Sequence, residues 1–137
     1  MIVVIDVNVV LSALMKDSTT REIIVKSGLD FCFPETSLTK IRKYKGLILE
    51  KSGLSEREFS QLFDKLLSFI RLIPTEEVKS RWLDAKKIIG HIDVEDVVFV
   101  ATALSQNAVI WSEDKHFEKQ TEILVLKTKD LVELLRD

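Results

Sequence analysis

Apolar residues along the chain come in short continuous runs separated by stretches of helical spacing. The opening Ile2-Val3-Val4-Ile5 is a β-branched run, which predicts a strand buried on both faces of a parallel sheet. It stops at Asp6. Helical spacing follows from Val9 to about Leu14 and again from about Thr20 to Lys26, closed by Ser27-Gly28. Phe31 to Phe33 reads as a second strand ended by Pro34. From about Thr36 to Lys51, the residues Leu38, Ile41, Leu47 and Ile48 predict one amphipathic helix, stopped at Ser52-Gly53. Ser55-Glu56-Arg57-Glu58 is a capping box that starts a helix running to about Ile70.

Leu72-Ile73-Pro74 reads as a short third strand and its end. One helix is expected over Glu76 to Ile89, with Val78, Trp82, Ala85 and Ile89 on a single stripe. His91-Ile92 leads into Asp93, where helix resumes to about Ser105. Ala108 to Trp111 and Ile123 to Leu126 supply strands four and five. Thr128 is expected to cap a closing helix, Lys129 to Arg136. Strands separated by helices imply right-handed crossovers, hence an α/β fold with a parallel five-stranded sheet flanked by helices on both faces. With no repeat or Pro/Gly-rich linker in 137 residues, a single domain over residues 1–137 is expected.

In such sheets the working site lies beyond the carboxyl ends of the strands. Asp6 follows strand one directly, and Glu113 and Asp114 follow strand four after Trp111-Ser112. Asp93, Glu95 and Asp96 open the helix that feeds strand four. If strands one and four are neighbours, Asp6, Asp96 and Asp114 converge on one cleft. Clustered carboxylates repel, and desolvation raises the cost unless protons or cations compensate. A hard divalent cation, Mg²⁺ or Mn²⁺, suits an oxygen-only donor set, and the chemistry suggested is phosphodiester hydrolysis. Each acid also has a plainer role: Asp93 and Asp96 can cap a helix, Asp114 can cap the turn Lys115-His116-Phe117-Glu118, and His116 reads as a surface residue.

Net charge changes the picture. At −2, with 31% charged residues, no global basic field announces nucleic acid, so any polyanion partner must be held locally by metal or by a patch. The one such patch is the helix carrying Lys40, Arg42, Lys43, Lys45 and Lys51 around Tyr44, which reads either as a solvated surface or as a phosphate track. The lone Cys32, within Phe31-Cys32-Phe33, excludes an internal disulfide and suits a buried thiol in a reducing cytosol. The opening apolar stretch is too short for a secretory signal or a membrane span, so a cytoplasmic protein is expected.

Three motifs carry a family resemblance. Asp6-Val7-Asn8-Val9-Val10-Leu11-Ser12-Ala13-Leu14, Asp93-Val94-Glu95-Asp96-Val97-Val98-Phe99-Val100-Ala101-Thr102-Ala103 and Val109-Ile110-Trp111-Ser112-Glu113-Asp114-Lys115-His116-Phe117 resemble, in order and separation, the motifs of PIN domains. The resemblance implies a metal-dependent endoribonuclease acting on single-stranded RNA, as in VapC-type toxins that pair with an antitoxin protein and often form homodimers. It implies Asp6, Asp96 and Asp114 as metal ligands, Asn8 and Ser112 as hydrogen-bonding supports, and Asp93 as an outer carboxylate. Arg42, Lys43 and Lys45 are then candidate RNA contacts. One departure stands out: the glutamate that active PIN domains carry early in the helix after strand two falls at Lys40. A lysine there is expected to reach the cleft, pair with Asp6 or Asp96 and weaken catalysis, leaving an RNA-binding or scaffold protein as the alternative. Two other folds with an acid after strand one fit poorly. A haloacid-dehalogenase phosphohydrolase wants a second acid where Asn8 stands, and a receiver domain wants an Asp after strand three, which ends at Ile73-Pro74.

Overall fold

The computed structural model describes residues 1–16, 18–90 and 93–136; the expected lead-in at His91-Ile92 lies outside them. Five strands form one parallel sheet: β1 (Ile2–Ile5), β2 (Asp30–Pro34), β3 (Ile70–Ile73), β4 (Val109–Trp111) and β5 (Val125–Leu126), in the order β3-β2-β1-β4-β5. The β-branched opening run takes the centre, where Val3, Val4 and Ile5 have no exposed surface. A strand buried on both faces needs an apolar residue at every position, and this one has it.

Helices α1 (Val7–Met15), α2 (Thr19–Lys26), α3 (Leu38–Lys43), α4 (Lys45–Ser52) and α5 (Glu56–Leu67) pack against one another around α1. Helices α6 (Thr75–Ser80), α7 (Trp82–Ile89) and α8 (Val94–Gln106) form a second group, and α8 lies against β1, β2 and β4. Helix α9 (Thr128–Leu134) closes the fold beside β5 and α2. One apolar cluster joins sheet and helices, with Phe33 on β2 meeting Phe99 on α8 edge-on at 5.7 Å between ring centres.

Two of the expected long helices are broken. The stretch expected as one helix over 36–51 is a short 3₁₀ turn at Glu35–Ser37, then α3, then α4 after a break at Tyr44 (φ −93°, ψ 10°). Tyr44 sits in the sparsely populated bridge between helical and extended backbone, two residues before Gly46, which favours helix poorly. The stretch 76–89 breaks likewise at Arg81, whose guanidinium pairs with Asp84 at 3.1 Å and donates to the Leu104 carbonyl of α8 at 3.2 Å. That tether is invisible to periodicity.

Smaller corrections have the same kind of cause. Ile70 belongs to β3 rather than to α5, because its side chain fills the sheet core opposite Phe31. The closing helix begins at Thr128 with Lys127 as its cap residue, and the Lys127 amide donates to Asp130 at 2.8 Å. The capping box at Ser55 forms as read, with Ser55 and Glu58 exchanging hydrogen bonds of 3.0 and 3.1 Å. Cys32 has no exposed surface, and burial pushes its thiol up to about 12. Among the described residues no helix is long and apolar enough to cross a membrane.

Phe33 makes a direct test of the α8–sheet contact. Phe33→Ala is expected to lower unfolding free energy by about 3–5 kcal/mol, measured by urea denaturation. Phe33→Leu keeps most of the volume and is expected to cost less than half as much.

Candidate metal centre at the carboxyl edge of the sheet

The strand order sets the location. From β1 the chain moves outward to β2 and β3, then returns to the other side of β1 for β4 and β5. The carboxyl ends of β1 and β4 therefore border the crevice where connections diverge, the usual ligand site of open α/β sheets. Register completes the alignment. Ile5 pairs with Trp111, and the Asp6 amide donates to the Trp111 carbonyl at 3.1 Å, so Ser112 arrives beside Asp6.

Asp6 is only 7% exposed. Its carboxylate accepts a 2.7 Å hydrogen bond from the Ser112 hydroxyl, which in turn accepts from the Asp114 amide at 2.9 Å. One buried hydroxyl thus ties the ends of β1 and β4 together. Burial pushes the Asp6 carboxyl above the usual range, against the opposing effect of Ser112 and of the nearby Val7 and Asn8 amides, with Asp114 raising it further. The Asp96 carboxyl is raised as well, first by burial and then by Asp93, with Asp114 and Asp6 adding to the effect and His116 opposing it.

The three sequence-derived acids line one cleft of about 240 Å³, together with Val7, Asn8, Lys40, Asp93 and Glu95. Asp93 caps α8 by accepting from the Glu95 amide at 2.9 Å, so the plainer role exists alongside its place in the cleft. Asp114 likewise caps the Lys115–Lys119 turn through the His116 amide at 2.9 Å. Asn8 lines the cleft, but it reaches Asp6 through its backbone amide rather than its side chain. Glu113 turns away and receives hydrogen bonds from the Thr128 amide and hydroxyl at 2.7 and 3.2 Å, which start α9. Arg42 and Lys43 are exposed, whereas Lys45 is drawn aside to Glu56 at 3.7 Å, over the Phe59 ring.

Two residues in or beside the cleft were not singled out by sequence. His116, read as a surface residue, puts Nδ1 3.3 Å from Asp96 and 3.6 Å from Asp114. Its signal was the spacing of Asp114-Lys115-His116, which suits a turn that brings the imidazole back over the acid. Donor atoms of Asp93, Asp96 and His116 all lie within 4.8 Å of one another. Glu95 is the other. Its Oε1 lies 3.7 Å from the Lys40 ammonium, and its Oε2 is buried with no hydrogen-bond partner among the described residues. Lys40 does reach the cleft, but its partner is Glu95 and not Asp6 or Asp96. The reason is placement: Glu95 lies in the first turn of α8, facing α3, while Asp96 is held by His116.

Five carboxylates facing one ammonium, one of them with an unpartnered buried oxygen, make a donor set that fits a hard divalent cation. Residues 4–133 match the family model described as the PIN domain. The chain belongs to the PIN domain family. Members of that family are nucleases and generally use divalent metals. No curated protein sequence matches the chain.

Solved PIN-fold structures align over almost the whole length. The crystal structure of VapBC2 from Rickettsia felis, bound to a DNA fragment from its promoter, matches at 14% identity and a TM-score of 0.68, covering 93% of this chain and 98% of that one. FitAcB from Neisseria gonorrhoeae matches at 15% and 0.65 with the same coverage, and FitAB bound to an IR36 DNA fragment at 17% and 0.64, covering 92% and 94%. At these identities the likeness establishes the shared fold.

Mutual repulsion in this PIN domain's cleft has a measurable consequence. In chelator, Asp6→Asn is expected to melt a few degrees above wild type, the shift produced by about 1 kcal/mol in a domain of this size. Mn²⁺ is expected to raise the wild-type midpoint by binding only the folded state, and to leave Asp6→Asn nearly unmoved. Equal wild-type midpoints in Mn²⁺ and chelator, read by differential scanning fluorimetry, contradict this account.

Proposed function

We propose that this PIN domain is a metal-dependent endoribonuclease that cuts single-stranded RNA, and that it serves in the cytoplasm as the toxin of a toxin–antitoxin pair. The observation that carries the reading is the meeting of Asp6, Asp96 and Asp114 in one cleft, with Ser112 bridging the first and last. These three carboxylates would hold Mg²⁺ or Mn²⁺, with Asp93 close beside Asp96 as a further donor. Bound there, the ion would neutralise charge on a scissile phosphate and lower the pKa of an attacking water.

The protein's own contribution is placement. Ser112 aims the Asp6 carboxylate and fixes the Asp114 backbone, so two donors from different strands keep a constant separation. His116 spans Asp96 and Asp114 and restrains both. Arg42 and Lys43, exposed on α3 beside the cleft, supply phosphate contacts that need no base sequence. An antitoxin and a second copy of this chain are the partners we infer, from the family and from the VapBC2 and FitAB complexes that share the fold.

A specific observation favours a second reading, an RNA-binding PIN domain with weakened catalysis. Lys40 brings an ammonium into the acidic cleft at the position where the resemblance expects a glutamate. The Lys40–Glu95 pair is partly exposed, so it contributes at most about 1 kcal/mol and can open. Its charge still opposes a divalent ion: two unit charges about 4 Å apart interact by about 4 kcal/mol at an effective dielectric near 20.

Ser112→Ala is expected to lower Mn²⁺ affinity or cleavage of a fluorogenic single-stranded RNA by about 10–100-fold, and Asp6→Asn to abolish cleavage. Lys40→Glu changes the cleft by two charge units. It is expected to bind Mn²⁺ roughly tenfold more tightly, about 1.4 kcal/mol, by calorimetric titration, and to cut RNA faster than wild type. A wild type that already cuts well and is indifferent to Lys40→Glu removes the weakened reading. A wild type and a Lys40→Glu variant that both bind RNA without cutting it remove the nuclease reading.

A further inference from the structure

Beside the acidic cleft lies a second, apolar groove of about 420 Å³, bordered by Leu11 and Met15 of α1, by Leu47 of α4, and by Lys16. It shares two residues with the cleft, Asn8 and Tyr44. Tyr44 is the residue at which α3 and α4 break, and its side chain is 38% exposed. Leu47, one turn on, is 40% exposed. A large aromatic and a leucine left open beside a charged site call for an occupant with an apolar face.

We propose that this groove is a nucleobase subsite, in which the base next to the scissile phosphate stacks on Tyr44 against the wall formed by Leu11, Met15 and Leu47. The inference rests on the nuclease reading of the adjoining cleft. Continuity is the first argument: a chain with a phosphate in the cleft must pass Asn8 and Tyr44 to leave it in this direction. Charge complementarity is the second. Tyr44 directly follows the exposed cations Arg42 and Lys43 at the end of α3, and Lys16 lines the groove itself. An occupant that is apolar on its faces and anionic along its backbone satisfies both surfaces, and single-stranded RNA has that character. Stacking on one aromatic ring tolerates every base, so the subsite adds affinity and orientation without dictating sequence. Tyr44 is a positioning residue here, because it holds a neighbouring base and touches no reacting atom.

The break at Tyr44 makes this possible. A continuous helix over 36–51 would keep the side chain in the row of its own turn. The bridge-region backbone separates α3 from α4, and the ring lies at the junction of cleft and groove.

The test uses the full chain, Ca²⁺ in place of Mn²⁺ to hold back cleavage, and two fluorescent probes read by anisotropy: a single-stranded RNA ten-mer and an abasic ribose-phosphate chain of equal length. Tyr44→Ala is expected to weaken RNA binding about tenfold, while Tyr44→Phe stays within about twofold of wild type because the ring, not the hydroxyl, does the stacking. The abasic chain is expected to bind wild type and Tyr44→Ala alike. Leu47→Ser is a second variant from the groove wall, expected to weaken RNA binding in the same selective way should Tyr44→Ala disturb the helix junction. If wild type binds RNA and neither variant changes its affinity, the subsite is overturned while the nuclease reading stands, and a protein segment becomes the groove's better occupant. If wild type binds no RNA at all, both fall.

Discussion

A carboxylate at the end of a fully buried central strand must find compensation for the water it has lost, and Asp6 is such a group. Its environment gives it one strong hydrogen bond, from Ser112, and two backbone amides at the start of α1. These do not cancel the burial, since the Asp6 carboxyl still lies above its ordinary range. The arrangement persists because the sheet over-determines it. Parallel pairing of Ile5 with Trp111 leaves Asp6 and Ser112 no other place to go, and the residues of β1 ahead of Asp6 are locked in the core. The domain carries an electrostatic cost at its acidic cleft, and packing elsewhere offsets it.

From that anchor the other acids follow in order. Ser112 holds the Asp114 amide, Asp114 caps the turn that carries His116, and His116 reaches back to Asp96 on α8. Strand four and helix eight are thereby connected to strand one through side chains, as well as through the sheet. A substitution at Ser112 loosens the entire chain of contacts, whereas one at Glu113 affects only the start of α9. Two adjacent acids in sequence therefore have unrelated work.

The sheet was legible because each strand is a short apolar run bounded by a turn residue, and because parallel strands need no alternation. The cleft was legible for a related reason: Asp6 and Asp114 follow strands directly, and the carboxyl edge of an open sheet is where such residues meet. What periodicity could not show were features made by contacts between distant residues. Arg81, at the break between α6 and α7, donates to the carbonyl of Leu104, 23 residues away. Lys45 is basic in sequence, yet in space it belongs to Glu56 and Phe59. His116 faces the acids because a turn closes on Asp114, and a one-dimensional pattern does not display that closure.

Glu95 and Lys40 illustrate the limit most directly. By sequence they are 55 residues apart, one an acid at a helix start and the other a cation in an acid's place. In space they are partners at 3.7 Å, and the pair leaves one Glu95 oxygen buried and unsatisfied among the described residues. An unsatisfied buried carboxylate oxygen is costly. Lys40 turned onto Glu95 is the only cation of α3 that lines the cleft among the described residues. The same α3 that carries Lys40 ends at Tyr44, where the cleft meets the apolar groove. One partly exposed ammonium among five carboxylates leaves the cleft with an excess of negative charge that the fold alone does not neutralise.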